Sequence, residues 1–147
     1  FSSAASDVYK RQRNLLTIEN DEMGWGLESS LELEKHCALV LDIHHHWVRT
    51  GEYIQANDDR VKRVIDSWRG VRPTMHYSYS RDEWLSPAYP DGKMHEGIHD
   101  MQTLLDKGCK KQKLRAHSDM LPNPAVNEWA LTFLPELDIQ VEAKIKT

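Results

Sequence analysis

The sequence predicts an α/β fold whose strands run parallel, in the order β-α-β-α-β, a long insertion, then α-β. Two observations carry this. Short apolar runs alternate with segments of helical periodicity, which implies right-handed crossovers between neighbouring strands. Each apolar run also ends in a carboxylate or a histidine, at about Glu19, Asp42, His76 and Glu142. In parallel α/β proteins chemistry is built at the C-terminal ends of strands. Four such units amount to half of an eight-stranded barrel. No glycine-rich phosphate loop follows any strand, so no nucleotide cofactor is expected.

The elements follow in order. Leu15-Leu16-Thr17-Ile18 is a buried strand running into Glu19-Asn20-Asp21, and Met23-Gly24-Trp25-Gly26 is a loop. Leu27 to His36, with leucines at 27, 31 and 33 among charges, reads as a helix. Ala38 to Ile43 is the second strand. Asp58 to Arg69 places Val61, Val64, Ile65 and Trp68 on one helical face, with Asn57 or Asp58 as its cap. Val71 to Ser78 is the third strand, with Pro73 near its start. Tyr79 to Ser118 is the insertion and holds one helix, Met101 to Lys107. Pro124 opens a helix that runs to Leu134. Asp138 to Lys144 is the fourth strand.

Composition is that of a soluble domain, 39% hydrophobic and 29% charged, and no apolar run approaches membrane-spanning length. Two cysteines without metal or disulfide spacing point to a reducing compartment. The net charge of -4 does not advertise nucleic-acid binding. It does not exclude it, because carboxylates that hold cations are neutralised by them. Ser2 to Gln12 reads codon for codon as a translated sequencing-library adapter. Residues 1–12 are therefore expected to be an artefact. Residues 13–147 are then expected to be a domain fragment, truncated at both ends.

Asp42-Ile43-His44-His45-His46 is the densest chemical signal. With Glu19, His76, His117 and Glu142 it offers mixed carboxylate and imidazole donors, which suit borderline divalent ions such as manganese, zinc or iron. Read as a strand end, the run puts His44 on the face of Asp42 and brings His45 in only if the chain has already turned. His46 reads as a surface or supporting imidazole. His95-Glu96-Gly97-Ile98-His99 matches a zinc-protease pattern, but Pro90, Gly92 and Gly97 argue against the helix it needs. The basic run of Lys110, Lys111, Lys113 and Arg115 leads to His117 and is a candidate contact for a phosphate backbone. Trp68 and Trp129 are read as packing residues.

Five segments, in this order, resemble the UV damage endonucleases: Ile18-Glu19-Asn20-Asp21, Asp42 to His46, Arg72 to Ser78, Lys113 to Asp119, and Val141 to Lys144. The resemblance covers Arg13 to Thr147 and is nearest to the branch with a long insertion after the seventh strand. It implies the C-terminal half of a TIM barrel related to endonuclease IV. It also implies nicking immediately 5′ to UV photoproducts in double-stranded DNA, supported by two or three Mn2+ ions, with Zn2+ as the other option. Glu19 resembles the bridging glutamate, and Asp42 with His45 the Asp-x-x-His ligand pair. His76 resembles the seventh-strand histidine, His117 the loop histidine and Glu142 the eighth-strand glutamate. These six are the expected metal ligands and catalytic residues. Thr74 departs from the family, where some members carry a modified lysine. The resemblance further implies a cytoplasmic bacterial or phage protein, monomeric when intact, without membrane partners. Two alternatives stand beside it. One is a metal-dependent sugar isomerase or epimerase of the same barrel superfamily, and the other an inactive truncated fragment.

Overall fold

A computed structural model describes residues 16–143. The adapter-like segment, Leu15 and the end of the fourth expected strand lie outside that range. The fold is mixed α/β, with short parallel strands in two small sheets. β1 (Thr17–Glu19) pairs with β2 (Ala38–Val40), and β3 (Thr74–Tyr77) with β4 (Asp138–Val141). Helix α1 is Leu27–Leu31, α2 Ile43–Thr50 and α3 Asp59–Asp66. The insertion holds α4 (Asp82–Leu85), a 3-10 turn at Ser86–Ala88, α5 (Met101–Asp106) and α6 (Lys111–Leu114). Helix α7 (Pro124–Leu131) leads into β4.

The two sheets touch at one point, a parallel bridge between Asp42 and His76, with His76 N–H donating to Leu41 O at 2.9 Å. Below it the strands are held apart. Leu39 turns its N–H and C=O away from β1. These meet side chains instead of a strand: Leu39 N–H donates to Ser67 Oγ at 3.0 Å, and Trp68 Nε1 donates to Leu39 O at 2.7 Å. Ser67 and Trp68 thus satisfy backbone groups that a neighbouring strand would otherwise take. The sheets close only where the site lies.

One expectation is corrected here. The second strand does not continue through Ile43, and the histidine run does not lie on it. Asp42 is the N-cap of α2, its Oδ1 accepting from His45 N–H at 2.8 Å. Aspartate is a strong cap and a poor strand residue, so the chain turns into a helix one residue after the bridge. His44, His45 and His46 consequently fan around a helix, about 100° apart, instead of alternating across a strand. The helix stops at Gly51, whose φ of 78° is left-handed and whose N–H donates to Trp47 O at 2.7 Å. A Cβ there would also meet Met101 Cβ at 3.0 Å.

The other expected helices shorten without moving, and the insertion, expected to hold one helix, holds α4 and α6 as well as α5. Asp58, not Asn57, caps α3, accepting from Arg60 N–H at 2.8 Å. Val61 and Val64 on α3 are fully buried, each worth roughly 1.5–3 kcal/mol. Asn123 caps α7 and Asp100 caps α5. The main core joins Leu39, Leu41, Ile43, Val61, Met75, Leu85, Leu104, Leu114 and Phe133, and so ties the insertion to the strands. Among the described residues no helix is long and apolar enough to cross a membrane, and both cysteines are buried and free.

Candidate metal centre

All four strands deliver a side chain to one place. Glu19 closes β1, Asp42 follows β2, His76 lies in β3 and Glu142 follows β4. Their ligand atoms lie within 4.8 Å of one another. His76 Nδ1 is 2.9 Å from Glu19 Oε1 and 2.5 Å from Glu142 Oε1. A single N–H cannot serve two carboxylates fully. Asp42 is fully buried, and its Oδ2 has no hydrogen-bond partner. Burial first, and then Glu19 and Glu142 nearby, push its carboxyl well above the usual range.

The backbone holds Asp42 in place. The Asn20 side chain accepts from Asp42 N–H at 2.8 Å and donates to Asp42 O at 2.9 Å, extending the β1–β2 ladder by one amide. Asn20 is itself buried. Sequence reasoning gave it no role. The available signal was a strong hydrogen-bonding side chain directly after a strand and its terminal carboxylate, although β1 is half-exposed and not the buried strand expected.

The other expected ligands flank this group. His45 Nδ1 lies 3.4 Å from Asp42 Oδ2 and 3.5 Å from Glu19 Oε1. His117 Nδ1 lies 3.6 Å from Glu142 Oε2, carried there by an antiparallel bridge from Ser80. His44 and His46 are directed elsewhere. His44 is buried and held to about 3, by burial first and then by His117 and His45. Its Nε2 meets Ser80 Oγ at 3.0 Å, and Ser80 spends its own proton on Leu114 O. His44 must therefore be the donor in that pair. His46 Nε2 meets Glu52 Oε1 at 2.6 Å, and Glu52 in turn binds Arg60.

A second acidic group, Asp21 and Glu22, sits on the outer side of His45, with Glu22 Oε2 3.4 Å from His45 Nε2. Burial raises the Glu22 carboxyl, while Asp21, hydrogen-bonded to Glu22, is held at about 2.

The basic run is partly engaged within the molecule. Arg115 Nε pairs with Glu22 Oε1 at 3.0 Å, Lys111 Nζ donates to Arg49 O at 2.6 Å, and Lys113 Nζ lies 5.0 Å from the Trp84 ring centre. Lys110 is the exposed N-cap residue just before α6. His95 to His99 forms no helix, so the protease-like pattern has no helical face. Trp68 and Trp129 pack as expected, Trp129 donating its Nε1–H to Ile54 O at 2.8 Å.

Parallel strands sharing a carboxylate-imidazole group at their C-terminal ends define an α/β protein of the strand-end-site class. The chain belongs to the UV-endonuclease UvdE family, which it matches over residues 1–147. It is 30% identical over 86 residues to a UV-damage endonuclease of Neurospora crassa, covering 51% of this chain and 13% of that protein. It is 28% identical over 139 residues to a UV-damage endonuclease of Schizosaccharomyces pombe, covering 89% of this chain and 18% of that protein. The chain thus spans less than a fifth of the length of these fungal relatives.

Proposed function

We propose that this chain is the metal-binding half of a DNA repair endonuclease, which hydrolyses a phosphodiester 5′ to UV photoproducts in double-stranded DNA. The observation that carries this is the convergence of Glu19, Asp42, His76 and Glu142 from four successive strands. The donor set fits a divalent cation. Three carboxylates surround one imidazole, and a buried Asp42 Oδ2 is without a partner. Hard oxygen with borderline nitrogen suits Mn2+, or Zn2+, in two or three sites. When bound, such ions supply Lewis acidity and an activated water.

Glu19, Asp42, His76 and Glu142 would hold the inner ion, with His45 and His117 on the flanks. Asn20 positions Asp42, so that its free oxygen faces the group while the other caps α2. Lys110, Lys111, Lys113 and Arg115 would grip the DNA backbone beside His117. The parallel order β1-β2-β3-β4, joined by the Asp42–His76 bridge, supports reading the strands as half of a TIM barrel. The whole barrel carries the proposed activity, and the 147-residue chain alone is not expected to nick.

The test is Glu19→Ala in the full-length protein, assayed as conversion of UV-irradiated supercoiled plasmid to open circle. Nicking is expected to be lost, and nicking that persists overturns the site assignment.

A further inference from the structure

We infer that one buried water molecule is bound within the fold, held by Trp47 Nε1, Ser78 Oγ and His44 Nδ1. A small cavity lies where α2, the residues after β3, the insertion and α7 meet. Its walls include His44, Trp47, Ser78, His99, Val126 and Trp129. His44, Trp47 and Ser78 are only 4%, 5% and 2% exposed. Each carries a side-chain polar atom that is shut off from solvent and has no hydrogen-bond partner among the described residues: His44 Nδ1, Trp47 Nε1 and Ser78 Oγ. Buried polar atoms are almost always paired, with protein or with ordered water. Three such atoms around one cavity point to a shared partner inside it. None of the three belongs to the group of Glu19, Asp42, His76 and Glu142, so the site stands apart from the proposed metal chemistry.

The chemistry of the three atoms selects the ligand. The Trp47 indole N–H only donates. His44 Nε2 donates to Ser80 Oγ, which gives its own proton to Leu114 O, so His44 Nδ1 holds the lone pair and only accepts. The Ser78 hydroxyl can do either. A cation is turned away by the indole N–H, and an anion by the imidazole lone pair. A neutral group that both accepts and donates suits all three. About 20 Å3 of the cavity is open to a water-sized sphere, against the roughly 10–15 Å3 that one water needs. One water fits, and larger polar molecules do not. Three hydrogen bonds are the usual complement of an internal water. Trp47 donates to it, it donates to His44, and Ser78 supplies the third bond. The bonded run then passes from Trp47 through the water and His44 to Ser80 and Leu114 O. Ser80 also forms the antiparallel bridge to His117, and the His44 and His117 rings meet edge-on, 5.6 Å between centroids. The water thus fixes the tautomer with which His44 backs the corner that carries His117.

The experiment counts long-lived internal waters in the 147-residue chain by oxygen-17 relaxation dispersion, which reads the water oxygen and ignores hydroxyl protons. Ser78→Val puts a branched side chain into the cavity and is expected to lose one water equivalent. An equal count in a folded Ser78→Val, with circular dichroism as the check, overturns the site. The second readout is the pair of His44 ring nitrogens by nitrogen-15 shifts, which needs no substitution. Nε2 is expected to carry the proton and Nδ1 to show the shift of a lone pair accepting a hydrogen bond. A proton on Nδ1, or the shift of a free lone pair there, overturns the site even if Ser78→Val fails to fold. Ser78→Ala separates the water from the serine as the donor to His44. Nδ1 is expected to go on accepting in that variant, and a free Nδ1 in folded Ser78→Ala would assign the bond to the serine hydroxyl and sink the proposal.

Discussion

Two groups of histidines in this chain face opposite fates. At the strand ends, His45, His76 and His117 stand among Glu19, Asp42, Glu22 and Glu142, with contacts shared between carboxylates and two buried oxygens unpartnered. In the insertion, His99 is enclosed by tyrosines. Its Nε2 meets Tyr79 Oη at 2.6 Å, its Nδ1 meets Tyr89 Oη, and its backbone N–H and C=O both bond Tyr53 Oη. Asn123 completes the network by donating to Tyr79 Oη at 3.2 Å. The first group leaves polar atoms unsatisfied where a ligand could satisfy them. The second satisfies itself. Histidine density alone therefore does not mark a site, and the partners of each ring nitrogen do.

The strongest way to break this comparison is Asp42→Asn. Asparagine caps helices about as well as aspartate, so the cap on α2 survives while the charge is lost. Mn2+ affinity is expected to fall at least about 100-fold, in the range set by disrupting a metal site. The melting temperature without metal is expected to hold or rise, because like-charge crowding with Glu19 and Glu142 is relieved. A large drop in melting temperature with Mn2+ affinity intact would make the strand-end group a structural cluster.

Tyr79→Phe tests the other half. It strips the hydroxyl that His99, Asn123 and Met94 O share, leaving buried groups unpaired. A stability loss of roughly 1–3 kcal/mol is expected by denaturant titration, with Mn2+ binding unchanged. Weakened Mn2+ binding would show that the two groups are coupled.

Taken per pH unit, the smallest effect is that of acid. Burial holds His99 down to about 4, with His95 adding to it. An unfolded histidine takes up its proton near pH 6.5. Between those values the unfolded chain binds the extra proton, so stability falls as pH drops from about 6.5 towards 4 and is level above. His99→Gln is expected to flatten that slope by up to about 1.4 kcal/mol per pH unit. A melting curve whose pH slope is the same in both proteins would place the titration elsewhere.

Much of the fold was legible because it is local. The valines of α3 repeat at helical spacing, Pro124 and Asn123 mark a helix start, and short β-branched runs end in polar residues. The histidine run misled because periodicity weighed more than capping: Ala38 to Ile43 is continuously apolar except for Asp42, and a strand pattern absorbs one polar residue easily. The signal that decides is Asp42 itself, a cap followed by residues that tolerate helix. The sheet's division was not legible at all, since Ser67 and Trp68 replace a strand's hydrogen bonds from 28 and 29 residues away.

By itself the sequence determined which residues could form the site: Glu19, Asp42, His76 and Glu142 each end an apolar run, and parallel topology then sends them to one edge. Only the tertiary structure decided how they divide the work. It took Asn20 reaching across to Asp42, and its carbonyl reaching His45, to fix where the Asp42 backbone sits and which imidazole nitrogen meets that carbonyl. Those bonds join residues 22 and 25 positions apart. A ring's tautomer depends on what stands beside it in space, and sequence spacing carries no record of that.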